Sequence, residues 1–217
     1  MTTAPERRLQ KPAIFVCDLQ EKFRNAIWEF EKVVLTTNKL LKAASALSIP
    51  VYATTQNGAR LGATVPEIQS HLESLAKTPT SSSVSDSPPL LRCLEDKTRF
   101  SMWIPPVAAH FQSSAPAEIC IVGIESHICV TQTALDALAA GHKVYIMADG
   151  VSSCNREEVP IALARLRAAG ATVTTSESWL YEVMGDAGIG EFRKIVGLVK
   201  ETSQDTKTAL GALQSKI

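Results

Sequence analysis

Short apolar runs alternate along this chain with stretches in which apolar positions recur every three or four residues. Residues 13–17 (AIFVC) form a continuous apolar run that ends on Asp18, the pattern of a strand buried on both faces. Residues 50–54, 118–122, 144–148 and 172–175 repeat that pattern. Between these runs, residues 33–47 place Val33, Leu40, Leu41, Ala44 and Leu47 on one helical face. Residues 128–140 carry a stripe of Val130, Ala134, Ala137 and Leu138, with Gly141 as a stop. Asn155 with Glu158 reads as a capping box. It opens a helix that uses Val159, Ala162, Leu163, Leu166 and Ala169 and stops at Gly170. A last helix is expected over residues 190–200.

Buried strands separated by amphipathic helices predict an α/β fold. The expected form is a three-layer α/β/α sandwich around a Rossmann-like, doubly wound, mainly parallel sheet. Such a sheet places its site just beyond the carboxyl ends of the strands. Two segments break the alternation. Residues 77–92 are rich in serine and proline and are expected to be a mobile insertion. Residues 201–217 form a polar tail, read as a frayed helix or a disordered end. The 217 residues are expected to form a single domain with its core over about residues 12–200.

The residues at the strand ends are the candidates for chemistry. Asp18 follows the first strand, where a carboxylate is costly to bury unless paired. By itself it also reads as a helix cap or a structural ion-pair partner. Cys129 falls in the first turn after the strand over residues 118–122, where unpaired N–H groups and the helix dipole favour a thiolate. The alternative for Cys129 is a small packed side chain. Lys97 is expected in a loop; beside a thiolate and a carboxylate it would stabilise both charges. Gln20, Phe23, Gln56 and Trp103 flank these positions and are candidate pocket walls, with plain packing as the alternative for each. His127 reads as a pocket donor or as a ring packed against the turn, and Glu125 as an inward contact or an outward one.

Three segments carrying these residues, FVCDLQEKF (15–23), KTRFSMW (97–103) and GIESHICVTQTALDALAAGHKVYIMADGVSS (123–153), together resemble the isochorismatase-like cysteine hydrolase superfamily. The pattern is most similar to its eukaryotic isochorismatase domain-containing branch. LGATVPEI (61–68), TTSESWL (174–180) and GDA (185–187) extend the likeness, which spans roughly residues 12–200. The resemblance implies an Asp–Lys–Cys triad: Asp18 as base, Lys97 as the anchor of charge, Cys129 as nucleophile. It also implies a cis peptide between Ile124 and Glu125, which would aim the Glu125 and Cys129 backbone N–H groups at an oxyanion. Homo-oligomerisation follows from the same resemblance.

Members that cleave the vinyl ether of isochorismate lack the cysteine, so Cys129 favours attack on an sp² acyl centre of a small-molecule substrate such as an amide. The superfamily's nicotinamidases carry an Asp-x-His metal pattern after the second strand. Here that stretch reads TTQNG (54–58), and His71, His110, His127 and His142 show no paired spacing. No catalytic metal and no cofactor are expected.

Composition narrows the partners. Lysine plus arginine and aspartate plus glutamate number 22 each, which disfavours a dedicated nucleic-acid binder. No apolar run approaches the roughly 18 residues that span a membrane. Five cysteines (17, 93, 120, 129 and 154) with no CxxC spacing point to a reducing compartment. The cytoplasm is the expected location, with the mitochondrion second because of Arg7, Arg8 and Lys11. Cys17 and Cys120 read as strand packing, and Cys93 and Cys154 have no assigned role. A nuclease-type protein and a non-catalytic oligomeric scaffold on the same fold stand as alternatives to the hydrolase.

Overall fold

Buried runs like AIFVC need a partner on every side, and the sheet supplies it. The computed structural model describes residues 6–81, 87–112 and 115–213. Its strands are β1 (Pro12–Cys17), β2 (Val51–Gln56), β3 (Leu91–Lys97), β4 (Glu118–Ile124), β5 (Lys143–Ser152) and β6 (Thr172–Thr174). They form one sheet in the order β3-β2-β1-β4-β5-β6, and every neighbouring pair is parallel. The helices are α1 (Phe30–Leu47), α2 (Gly58–Leu61), α3 (Pro66–Leu75), α4 (Pro105–Ala108), α5 (Thr131–Ala139), α6 (Glu158–Ala168), α7 (Ser176–Met184), α8 (Phe192–Glu201) and α9 (Ser203–Leu213).

The two-residue period of β1 divides the interior in two. Ile14 and Val16 join a core built with α1, α3, α7, α8 and α9. Ala13, Phe15 and Cys17 face a second core built with α4, α5 and α6. This is the expected three-layer α/β sandwich.

Several local expectations are corrected. β3 was not anticipated, because its LRCLEDK sequence has no continuous apolar run. It is an edge strand with β2 as its neighbour in the sheet, and an edge tolerates Arg92, Glu95 and Asp96. Lys97 is therefore the last residue of a strand, not a loop residue. The capping box at Asn155 does not form: Glu157 is the N-cap of α6 with no side-chain hydrogen bond. Asn155 contributes its carbonyl instead, accepting from the Glu158 N–H at 3.2 Å. Of the two readings of the polar tail the helix is the one found, as α9, and it is packed, burying Thr206, Ala209 and Leu213. The serine- and proline-rich stretch is pinned at its ends by a Pro79–Pro89 bridge and by the Leu90 N–H donating to the Thr78 carbonyl at 2.8 Å. Positions 82–86 of that stretch and 214–217 of the tail lie outside the described residues.

β1 and β4 approach closely where the site lies. Cys17 stands opposite Gly123, and a Cβ on Gly123 (φ 132°) would come within 2.2 Å of the Cys17 carbonyl oxygen. Only glycine accommodates both that contact and that backbone angle.

Candidate active site

The chain builds β1, β2 and β3 in one direction across the sheet and β4, β5 and β6 in the other, so the order reverses between β1 and β4. A crevice opens at the carboxyl ends of such strands. Both strands leave the sheet through a non-glycine residue in the left-handed region, Asp18 (φ 55°) and Glu125 (φ 56°). These conformations cost free energy and concentrate at functional sites.

Asp18 and Lys97 meet there. Lys97 Nζ donates to Asp18 Oδ2 at 2.7 Å, and both side chains are 1% exposed. Removing both charges from water is affordable because each has further partners. Lys97 Nζ also donates to Gln56 Oε1 at 2.8 Å and to the carbonyls of Phe100 at 3.0 Å and Arg99 at 3.1 Å. Asp18 Oδ1 accepts from Thr54 Oγ1 at 2.8 Å. Gln56 is fixed in turn: its Nε2 donates to the Thr98 carbonyl at 2.9 Å, and its backbone N–H donates to Gln20 Oε1 at 2.7 Å. Gln20 Nε2 donates to the Gly62 carbonyl at 2.6 Å, tying this network to the α2 segment.

Burial is the largest influence on Lys97 and pulls its pKa down. The electrostatic influence of Cys17, the Asp18 charge, the Asp18 hydrogen bond and Cys129 outweigh it, and Lys97 is held above its ordinary value. Cys17 is itself pushed well above the ordinary thiol value by its hydrogen bond with Cys129, then by burial and by the Asp18 charge. Cys17 is therefore a neutral thiol at neutral pH, and Asp18 is the counter-charge that acts on Lys97 there.

Cys129 is buried in a π-helical turn, Ser126–Val130, that runs into α5. Thr133 Oγ1 holds the turn by donating to the Cys129 carbonyl at 2.7 Å. The Cys129 thiol is in hydrogen-bonding contact with Cys17 and within electrostatic reach of Lys97. Cys17 Sγ also stands 3.5 Å from Asp18 Oδ2, so it touches both the carboxylate and the thiol.

Asp18, Lys97, Gln56 and Gln20 are thus joined in one network, and Cys129 reaches it through Cys17 and the Lys97 charge. Glu125 and His127 lie on the turn that carries Cys129, with His127 Nδ1 3.0 Å from Ser153 Oγ and 3.5 Å from Glu125 Oε2. Phe23 packs against the core on the α1 side. Trp103 sits in a ring cluster, 5.3 Å from Phe111 and 5.2 Å from His142 between centroids. One expectation is corrected: there is no cis peptide among the described residues, and the Ile124–Glu125 bond is trans. The left-handed Glu125 makes the exit from β4 instead.

The sequence reading missed two members of the site. Cys17 reads as strand packing, and Thr54 as part of a stretch without metal ligands. Strand parity held the signal for Cys17, since residues 13, 15 and 17 share a face and α5 covers that face.

Comparisons with known proteins identify the family and the fold. The family model described as the isochorismatase domain matches residues 12–178. The secreted isochorismatase effector Isc1 of Phytophthora sojae is 40% identical over 87% of this chain and 84% of its own length. Isochorismatase domain-containing protein 2 of Xenopus laevis is 36% identical over 89% of this chain and 85% of its own. Among solved structures, the MAR1 ribonuclease of Caenorhabditis elegans superposes with a TM-score of 0.75 at 34% identity, covering 88% of this chain and 90% of that one. With the family model spanning most of its length and relatives this similar, the chain belongs to the isochorismatase family.

Proposed function

We propose that this protein is a metal-independent cysteine hydrolase that cleaves a small amide or a related C–N bond. The observation that supports this reading best is the convergence of Asp18, Lys97 and Cys129 at the reversal between β1 and β4. Asp18 accepts the Cys129 proton, and the thiolate attacks the substrate carbonyl carbon. The resulting oxyanion is met by the Cys129 backbone N–H; the trans bond before Glu125 does not give the Glu125 N–H the aim of a cis bond. The Lys97 protons are committed to four acceptors, so its part is charge, not a hydrogen bond to substrate. Collapse expels the amine, which takes the proton held by Asp18 and leaves a thioester on Cys129. Asp18 then deprotonates a water that attacks the thioester, releasing the acid and restoring the thiol. Gln56 and Gln20 position Lys97 and the loop beside it.

The test is turnover across a panel of small amides and ureido compounds, with intact-mass detection of an acyl adduct in quenched reactions. A thioester on Cys129 and loss of turnover in Cys129→Ser are expected. Turnover that survives Cys129→Ser would overturn the mechanism.

A second reading, ribonuclease activity, draws support from the C. elegans structure named for that activity. Cleavage of RNA by the purified protein that falls with rising salt would favour it, and no cleavage above background would dispose of it. The equal counts of acidic and basic residues keep it second. We also propose assembly into a closed homo-oligomer, the general habit of soluble assemblies, to be read by light scattering. No helix among the described residues is long and apolar enough to cross a membrane.

A further inference from the structure

The side chains leaving β4 and β5 come together a second time, beside the hydrolytic network. Glu125 and His127 lie on the turn after β4, and Cys154 lies just beyond β5. Their ligand atoms all lie within 4.8 Å of one another. Glu125 Oε2 is 3.5 Å from His127 Nδ1, and the same oxygen is 3.4 Å from the Cys154 N–H. Ser153 Oγ is 3.0 Å from His127 Nδ1, which places an oxygen beside the group as a fourth polar atom.

We infer that Glu125, His127 and Cys154 form a binding site for a thiophilic divalent cation, with Zn²⁺ as the ion of best fit. The donor set decides the class of ion. A thiolate, an imidazole and a carboxylate suit zinc, whereas magnesium and calcium take oxygen donors alone. The spacing is close to what a tetrahedral ion needs. With bonds of about 2.0–2.3 Å, neighbouring donors stand roughly 3.3–3.7 Å apart. The Glu125–His127 separation meets that already, and Cys154 has only to close a short remaining gap. Cys154 is the exposed member, so its side chain has room to turn towards the other two, which are largely covered. Binding replaces the thiol proton, which passes to solvent. Histidine spacing along the sequence did not reveal this group, because Cys154 is 29 residues from Glu125 and the sheet alone brings them together.

Such an ion would clasp the turn that carries Cys129 to the segment after β5. The proposed hydrolytic steps themselves call on no metal.

The test is anaerobic titration of the reduced, metal-stripped full chain with Co²⁺, followed by competition between Zn²⁺ and a chromophoric chelator. The expected result is one equivalent bound, with a thiolate-to-cobalt charge-transfer band in the near ultraviolet. That band should persist in Cys129→Ser and disappear in Cys154→Ser. Zinc affinity should fall by about ten-fold or more in Cys154→Ser, His127→Ala and Glu125→Gln, a range that even loss of an outer-shell partner reaches. Absence of saturable binding would overturn the inference. So would a band that survives Cys154→Ser, or one that Cys129→Ser also removes, because the ion would then sit on the nucleophile. Cys154 is exposed, so its serine variant tests the site without burying a new group.

Discussion

Two buried lysine–aspartate pairs sit among the described residues, one at the proposed active site and one between α1 and β5. Lys97 and Asp18 are 2.7 Å apart, while Lys39 and Asp149 are 3.9 Å apart, and all four side chains are nearly inaccessible. The second pair is dispersed among structural partners. Lys39 Nζ donates to Thr206 Oγ1 at 2.8 Å, joining α1 to α9. Asp149 accepts from the Ser176 N–H at 2.8 Å and from the Ser176 hydroxyl, holding the start of α7. Burial pulls Lys39 below its ordinary value, and the charges of Asp149, Glu177 and Asp205 oppose this without overcoming it. Lys97 is held above its ordinary value although it too is buried. Burial and charge do not by themselves make a site. What sets the first pair apart is its place at the strand-order reversal and the two thiols beside it.

Substitutions separate the two pairs, and the largest effect is expected at the nucleophile. Cys129→Ala should lower the hydrolytic rate by on the order of 10⁴-fold or more, measured on whichever amide the panel identifies. Asp18→Asn and Asp149→Asn come next. Each leaves a buried lysine without its counter-charge, a loss of about 3–5 kcal/mol for a tight pair, with the looser Lys39 pair expected at the low end. Urea unfolding should show both losses, while the hydrolytic rate should collapse in Asp18→Asn alone. Equal loss of rate in both variants would mean that Asp18 acts only through the fold.

The two lysines should also respond oppositely to alkali. Lys97, held above the ordinary value of about 10.4, stabilises the fold at lower pH, and that contribution is lost as pH rises through its folded value. Lys39, held below the ordinary value, penalises the fold while it is charged. That penalty is relieved as pH rises from its folded value towards about 10.4. Denaturant unfolding across alkaline pH should therefore lose an upward slope in Lys39→Met and a downward one in Lys97→Met. The smallest effect is expected for Cys17→Ala. It removes one hydrogen bond to Cys129, worth about 1 kcal/mol, and should slow the thiol's reaction by roughly five- to ten-fold without preventing it.

The alternation of buried runs and amphipathic helices made the sheet legible in the sequence, and Asp18 and Cys129 stood out at its strand ends. β3 did not, because an edge strand carries charge that masks its pattern. Lys97 was found through resemblance, since nothing in KTRF marks a buried ammonium. The helix α9 was obscured by polar residues whose hydroxyls, such as Thr206, serve the buried Lys39. Cys17 was read as packing because an apolar run does not tell which of its side chains meets a neighbouring helix. The trans bond before Glu125 shows the limit of carrying family geometry onto one chain, because here a left-handed residue makes the exit from the strand.

The account rests on a thiol activated by its neighbours, and the most direct measurement is the order in which the five cysteines react. Limiting iodoacetamide at neutral pH, with adducts mapped by mass spectrometry over time, should label Cys129 at least about ten-fold faster than Cys154. That result would stand against exposure, because Cys129 is buried and Cys154 is exposed. The preference should vanish in Asp18→Asn and survive in Lys39→Met. Labelling of Cys154 or Cys93 ahead of Cys129 would contradict the account.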